Sequence, residues 1–450
     1  MTALFTPRGT STLPVPDLSH LPGPAAPPVV GHSLALVRDP ARLLAETAAT
    51  HGPVFRLHTL GRWRVYALGA DALAWSLLNH DGILSSEHGW EVLHDIFSGG
   101  LMLSDGDDHR TDRRRMQAAF RAEAMRGYLS IMTATIPGRL NAWPLDRTIR
   151  IYPRIKQLTF DLGSRVFMGL GPGPDSAAMN TAFQAEVAAA LAIVRRPLPM
   201  TRLRRGIAAR QRLRDRFTAL IAERRRNGGS DFFSQMALAG GETQGWSDAE
   251  IIDQFNFLMM AAHDTTATTL TAMIWALAHH PDWQERVREE LARLPETGLE
   301  RPEQIEAVPL TLRVMDEALR LRPPVPLIPR RLIKDAELGS HHLPMGTSVI
   351  VCPGMVMRDP GIWTDPESFD PDRFSETRAE HRRHRFAHAP FGGGAHKCTG
   401  MHFARLQVVA VLQALLRRCR LRPECAKDAP WLQVPIPRPR DGLPIRLEAA

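Results

Sequence analysis

The 450-residue sequence predicts a mainly α-helical fold with small β-sheets, and three features predict it. Apolar residues recur at helical spacing over 183–196, 205–226, 248–280, 282–293 and 401–418, lengths that strands do not reach. Early in the chain, Val54-Phe55-Arg56-Leu57-His58 and Trp63-Arg64-Val65-Tyr66-Ala67-Leu68 flank a turn containing Gly61, the pattern of a β-hairpin. Further β structure is expected only in short regions, around 331–352 and near 432–447.

In chain order, residues 1–28 form a proline-rich lead-in that cannot propagate a helix, and 29–450 is expected to be a single domain without internal repeats. Met1-Thr2-Ala3-Leu4-Phe5 lacks the basic and apolar parts of a secretory signal. No run approaches the roughly 18 uninterrupted apolar residues of a membrane span, so no transmembrane anchor and a cytoplasmic location are expected. The four cysteines, Cys352, Cys398, Cys419 and Cys425, contain no Cys-x-x-Cys pair and are too few for a disulfide framework. The net charge of +8 comes largely from arginines clustered in 202–226 and 382–385. Such runs are ordinarily solvated helix faces, and with no nucleic-acid motif beside them no nucleic-acid partner is expected.

The most informative segment is Phe391-Gly392-Gly393-Gly394-Ala395-His396-Lys397-Cys398-Thr399-Gly400, which runs into the helical stretch beginning at Met401. Consecutive glycines let the backbone bend so that peptide N–H groups aim at a nearby sulfur, and the helix that follows points its positive end at the same atom. Both effects favour a thiolate, the form that ligates haem iron. A buried structural cysteine or a phosphate loop are the competing explanations, but a phosphate loop requires Gly-Lys-Ser or Gly-Lys-Thr where this chain has Lys397-Cys398. A zinc site drawn from His381, His384, His388, His396 and His402 matches no usual ligand spacing, and Arg382, Arg383 and Arg385 among them repel a cation. The spacing Phe-x-x-Gly-x-His-x-Cys-x-Gly resembles the haem-binding loop of the cytochrome P-450 superfamily, in its soluble bacterial type. The resemblance implies Cys398 as the metal ligand, Phe391, Gly394 and Gly400 as its loop, and haem b as cofactor.

Three other segments extend the resemblance. Leu310, Val314, Ala318 and Leu321 place Glu317 and Arg320 on one face of a helix ended by Pro323-Pro324; alone, such a pair is usually an exposed contact. Its position upstream of Phe369-Asp370-Pro371-Asp372-Arg373-Phe374 follows the family's order, which implies that Glu317, Arg320 and Arg373 form a structural cluster locking the cysteine loop. The long helix opening with the capping box Ser247-Asp248-Ala249-Glu250 carries Ala261-Ala262-His263-Asp264-Thr265-Thr266 and then Thr268, Thr269 and Thr271 in an apolar context. Buried hydroxyls and acids cost free energy unless bonded. The threonines can bond back to carbonyls one turn earlier, which is packing, or can join an Asp-Thr proton relay with water. The segment resembles the family's oxygen-binding motif, with Ala262 where glycine is usual, which implies catalytic roles for Asp264 and Thr265; His263 occupies a variable position and receives none. Finally, haem propionates need cations. The resemblance implies His109 and Arg113, four apart on a helix, His396, and Arg330 as propionate contacts; Arg331 competes with Arg330, and a surface salt bridge is the ordinary alternative for each.

The resemblance runs from about Leu21 to near Leu447 and implies a fold with haem between the long central helix and the cysteine loop. The implied reaction inserts one atom of dioxygen into a substrate, with electrons from outside. No flavin or iron–sulfur module is attached, so an external ferredoxin or flavodoxin-type donor with its reductase is expected, docking on Arg114, Arg115, Arg121 and Lys397. By family position, Phe97, Met102, Phe257, Met260, Ala261, Val325, Leu327 and Ile328 line the substrate pocket; their apolar character favours a hydrophobic small molecule. A peroxide-driven peroxygenase and a haem-binding sensor without turnover are the alternatives, and the Asp264-Thr265 pair counts against both.

Overall fold

Leu60 and Gly61 both take positive φ (49° and 80°), the geometry of a two-residue turn whose twist matches the strands it joins. It closes β1 (Val54–Thr59) onto β2 (Arg62–Ala67) in antiparallel register, Val54 opposite Ala67 and Thr59 opposite Arg62. The computed structural model describes residues 13–97, 99–171, 173–190, 192, 194–239, 245–434 and 436–450. Around the hairpin lie α1 (Ser33–Arg38), α2 (Pro40–His51) and α3 (Ala70–Leu78), with β3 (Leu84–Ser85) following. A run of helices comes next: α4 (Gly106–Met116), α5 (Ala122–Asn141), α6 (Ile151–Met168) after the short β4 (Arg147–Arg150), α7 (Pro174–Ala190), α8 (Arg202–Asn227), α9 (Phe232–Ala239), α10 (Asp248–His279), α11 (Pro281–Ala292) and α12 (Pro309–Leu321). The chain then forms β5 (Ile328–Leu332), β6 (Ala336–Leu338), β7 (His341–Leu343), β8 (Ser348–Val351) and α13 (Pro353–Val356). It ends with α14 (Met401–Arg418), β9 (Cys419–Pro423), β10 (Trp431–Leu432), β11 (Arg438–Pro439) and β12 (Pro444–Ala449).

The predicted class is therefore the observed one, mostly helix with small sheets. The largest sheet runs β1-β2-β8-β5-β3, with β2 and β8 parallel, so the early hairpin is completed by strands some 280 residues later in the chain. A second sheet, β4-β12-β9, joins the middle of the chain to its end. The lead-in is anchored on the first sheet: Leu18 and Leu21 are buried among Leu332, Leu343 and Val349, and Arg56 N–H donates to Pro22 O.

The helical core is organised on α10, whose 32 residues are buried along most of their length. Ser247 and Glu250 cap its start reciprocally, and Pro281 opens α11 beyond its end. One expected helix is shifted: 183–196 proves to be the second half of α7, which begins at Pro174 and stops at Ala190. Pro197 and Pro199 remove donors beyond that point, and the buried Arg195 side chain folds back to donate to the terminal carbonyls of Ala189 and Ala190. The same guanidinium bonds Val92 O (2.6 Å) and Asp95 (2.5 Å), tying the end of α7 to the segment before α4. Among the described residues one helical stretch, Gly394–Arg418, is long and apolar enough to cross a membrane, and 61% of its apolar window is buried in the core.

Candidate active site

In the middle of α10, Met260, Ala261, Ala262 and Thr265 are half-exposed while the residues on either side are buried. Access at the centre of an otherwise sunken helix marks a groove, and Ala261, Ala262 and Thr265 put three small side chains along it. Thr265 donates to Ala261 O (2.8 Å), Thr266 to Ala262 O (3.0 Å), Thr269 to Thr265 O (2.9 Å) and Thr271 to Ala267 O (2.6 Å), so these four hydroxyls are satisfied within the helix. Thr268 instead bonds Pro437 O at 2.9 Å. Asp264, which the motif pairs with Thr265, is buried and contacts Lys156 Nζ at 2.8 Å, with His263 Nε2 3.3 Å from the same carboxyl oxygen.

The cysteine loop is shaped by Gly392 (φ 68°) and Gly394 (φ 60°) in the left-handed region. A Cβ on Gly394 would strike Leu77 O at the end of α3, so only glycine lets the loop lie there. Cys398 N–H donates to Phe391 O at 3.0 Å, Arg405 stacks its guanidinium over the Phe391 ring, and Gly400 caps α14. Cys398 is exposed, yet the surrounding protein desolvates its sulfur and raises the thiol above its ordinary value. The Gly400 N–H and the nearby Arg113 and Lys397 oppose that shift without reversing it. The loop amide and the neighbouring cations thus act on the sulfur in the direction that favours a thiolate, against the desolvation.

Beside the loop, the His109 and His396 rings lie 4.0 Å apart, and Arg113 and Arg330 are close enough for their charges to act on both. His109 is buried with Nε2 unpartnered, and burial, then His396 and Arg113, lower its pKa to about 4. Among the described residues the Arg330 guanidinium bonds only the adjacent Pro329 O, and burial pushes it down to about 10. Arg113 makes no ion pair among the described residues, whereas Arg331 is spent on Glu91 (3.0 Å), Gly346 O and the lead-in carbonyls of Leu13 and Pro14. The nearby acid is Asp105, 3.6 Å from His396; burial would raise it, but bonds from His396, Ser85 and the Ser86 and Glu87 amides hold it well below the usual carboxylate range. Two arginines and two histidines facing one carboxylate leave an excess of donors, which fits a group bearing carboxylates such as haem with its two propionates.

Glu317, Arg320 and Arg373 are all buried. Glu317 takes a bidentate pair from Arg320 (2.6 and 2.9 Å), a bond from Arg373 Nε (3.1 Å) and one from Asp370 N–H (2.8 Å). The arginines spend their remaining donors on carbonyls of Met357, Thr364, Asp365, Pro366 and Ser368, so the cluster clamps the segment leading to the cysteine loop. His388 Nε2 on that loop meets Asp316 O of α12 at 3.1 Å. Glu380, buried and 3.3 Å from Arg373, is a fourth member that sequence spacing did not reveal.

Of the expected pocket residues, Phe97, Met102, Phe257, Met260 and Ala261 gather in one cluster with Ala189, Ala190 and Leu203, Phe97 meeting Phe257 edge-on at 5.9 Å. Val325, Leu327 and Ile328 do not join it. Val325 and Ile328 pack into the core of the first sheet, and Leu327 lies with Leu44, Phe55 and Tyr66 in a separate cluster. Ile328 opens β5 and its side chain packs into the sheet, while Val325 and Leu327, which precede the strand, stay partly exposed.

Glu186 of α7 is fully buried, accepting one bond from Asn256 of α10 (3.2 Å), while Glu186 Oε2 and Asn256 Oδ1 have no hydrogen-bond partner among the described residues. Two facing acceptors suit a protonated acid, and burial pushes Glu186 up to about 8. A raised carboxyl pKa contributes stability that is full below its ordinary value near 4.5 and is lost as pH climbs through 8. Glu186→Gln is expected to remove this loss, raising the melting temperature relative to wild type by a few degrees more at pH 8 than at pH 5.

A cysteine loop, a donor-rich cradle beside it and the Asp264-Thr265 stretch of α10 are together the parts of a haem-thiolate site. The family model described as Cytochrome P450 matches residues 21–435, and the chain belongs to that family of monooxygenases. Among individual proteins, it is 40% identical over 447 residues to putative cytochrome P450 136 of Mycobacterium tuberculosis, covering 96% of this chain and 89% of the relative. It is 29% identical to cyclooctat-9-en-7-ol 5-monooxygenase of Streptomyces melanosporofaciens over 93% of each chain. A solved structure of retinoic acid-bound cyanobacterial CYP120A1 matches with TM-score 0.86 and 27% identity, covering 98% of this chain and all of that one.

Proposed function

We propose that this enzyme inserts one oxygen atom of dioxygen into a hydrophobic organic molecule, by hydroxylation or epoxidation, using haem b and electrons from a separate ferredoxin or flavodoxin-type donor with its reductase. The observation that carries the reading is the half-exposed stretch of α10, where Thr265 lies one turn after Ala261 and where Met260 and Ala261 pack against the apolar Phe97 cluster. Haem would be held by the Cys398 sulfur and, through its propionates, by His109, Arg113, Arg330 and His396, and would supply dioxygen activation. Thr265 holds its hydroxyl at the groove and Asp264 feeds it protons from behind, while Phe97, Met102, Phe257, Met260 and Ala261 exclude water and orient the substrate. An apolar substrate also agrees with relatives named for cyclooctat-9-en-7-ol and retinoic acid. The catalytic domain spans 29–450, and four free cysteines suit a reducing cytoplasm.

The test compares product formed with reduced ferredoxin and dioxygen against product formed with peroxide alone. The proposal requires turnover in the first assay; turnover confined to the second would make the protein a peroxygenase, and none in either with haem bound would make it a sensor. In the first assay Thr265→Ala is expected to lower product formation by about 10² while oxygen uptake continues and hydrogen peroxide accumulates. Unchanged coupling in that variant would remove Thr265 from the relay.

A further inference from the structure

Arg322, the residue that ends α12, is a cation without a carboxylate of its own. Its guanidinium carbon lies 5.3 Å from the ring centre of Trp275 on α10 and 5.3 Å from that of Trp431 in β10, so the charge sits between two indoles. Among the described residues the guanidinium makes no ion pair and no hydrogen bond, and its Nε is buried. The acid near enough to act on it is Glu367, which already pairs with Arg358 at 3.0 Å, and Arg358 acts on Arg322 with the opposite sign. One carboxylate thus serves two guanidinium groups, and the charge left over is positive. Burial, then Arg358, push Arg322 down to about 10, which still leaves it charged at neutral pH.

The indoles contribute donors and no acceptor. Trp275 and Trp431 are 5% and 6% exposed, and the Nε1–H of each is buried without a hydrogen-bond partner among the described residues. Neither an indole nor a guanidinium N–H group can accept. A buried donor without an acceptor is costly, and a buried cation without a counter-charge more so. A water would accept from the donors but leave the charge uncompensated, whereas one small anion answers both.

We propose that Arg322, Trp275 and Trp431 form a binding site for a small monovalent inorganic anion of the halide class, chloride in ordinary salt, which accepts N–H bonds from the guanidinium and the indoles. The ion would fasten three elements: the C-terminal part of α10, the end of α12, and the base of the β10–β11 hairpin, where Trp431 pairs with Pro439. Thr268 ties the same hairpin to α10 through Pro437 O. The site is separate from the haem-thiolate chemistry, since Trp275 lies ten residues past Thr265, about 15 Å along the helix.

The experiment uses haem-loaded protein, reduced under carbon monoxide, as wild type, Arg322→Met and Trp275→Phe. Sodium chloride is titrated at constant ionic strength against sodium gluconate, and the linewidth of the chloride NMR resonance is followed. Wild type is expected to show a saturable excess linewidth with half-saturation at about 1–10 mM. Arg322→Met is expected to lose it, and Trp275→Phe, which keeps a ring against the guanidinium but removes one donor, to weaken it about threefold to tenfold. A second readout is urea unfolding of the holoprotein. With a dissociation constant of about 1 mM, chloride at about 100 mM shifts the wild-type equilibrium about a hundredfold toward the folded state relative to gluconate, and this shift is expected to vanish in Arg322→Met. If Arg322→Met takes up no haem, the weakening in Trp275→Phe decides. A saturable linewidth left unchanged by the variants places the ion elsewhere, as on the arginines of α8, and overturns the proposal. No saturable linewidth in wild type overturns it as well, because water then suffices for the donors.

Discussion

Cys398→Ala, reduced under carbon monoxide, is expected to lose the strongly red-shifted Soret band of the wild-type protein and to form product at no more than background. The reasoning starts from the sulfur. A coordinating metal cation holds a thiol as thiolate, and the Gly400 N–H, Arg113 and Lys397 around Cys398 act in the same direction. The remaining cysteines offer no substitute: Cys352 and Cys419 are buried, the former far above its ordinary pKa, and Cys425 lies beyond α14. The Cys398 side chain fills no core position, so the apoprotein should fold nearly as well as wild type. The stability lost should be the part contributed by ligand binding, about 2.7 kcal/mol for a ligand held at a hundred times its dissociation constant. A variant that keeps the red-shifted band would show that another group ligates the iron.

Arg320→Met is expected to cost about 3–5 kcal/mol and to cut the yield of haem-loaded protein severely. Glu317 and Arg320 are both wholly inaccessible, and removing the arginine strands a buried carboxylate whose remaining arginine partner is Arg373. The loss also frees carbonyls of Met357 and Pro366 that the guanidinium satisfies, while Ser368 O keeps its bond from Arg373. Glu317→Gln should cost less, because a neutral amide still accepts from Arg320 and from Asp370 N–H. Equal, small effects in urea unfolding of the two variants would show that the cluster is dispensable to the clamp.

How far this arrangement could be read from sequence depends on the range of each signal. The α10 helix was legible because capping and periodicity are local, and Cys398 because a ten-residue loop carries its own glycine chemistry. Glu317 and Arg320 share a helical turn and were legible as a pair, whereas Glu380 joins them only through the folding of a turn-rich segment that has no period. Asp105 is half hidden in the sequence: it precedes α4 as its capping residue, but its spending on Ser85, Ser86 and His396 is a tertiary fact. Lys156 and Glu186 were illegible because each meets α10 across a helix–helix interface. Leu327 and its neighbours could be named as apolar but not assigned to a cluster, because apolar character does not say which of two apolar environments a side chain packs against.

The anchoring of the lead-in has a consequence for how the chain is made. Leu18 and Leu21 find their burial against Leu332, Leu343 and Val349, and Arg331 reaches back to the carbonyls of Leu13 and Pro14. On a ribosome adding about 5–20 residues per second, those partners arrive roughly 15 to 65 s after the leucines emerge. For that interval the N-terminal apolar residues stay open to chaperones and to neighbouring nascent chains, and the first sheet closes only when about three-quarters of the polypeptide exists. Fast translation should therefore favour recovery of native enzyme, and slow codons placed before β8 should favour aggregation.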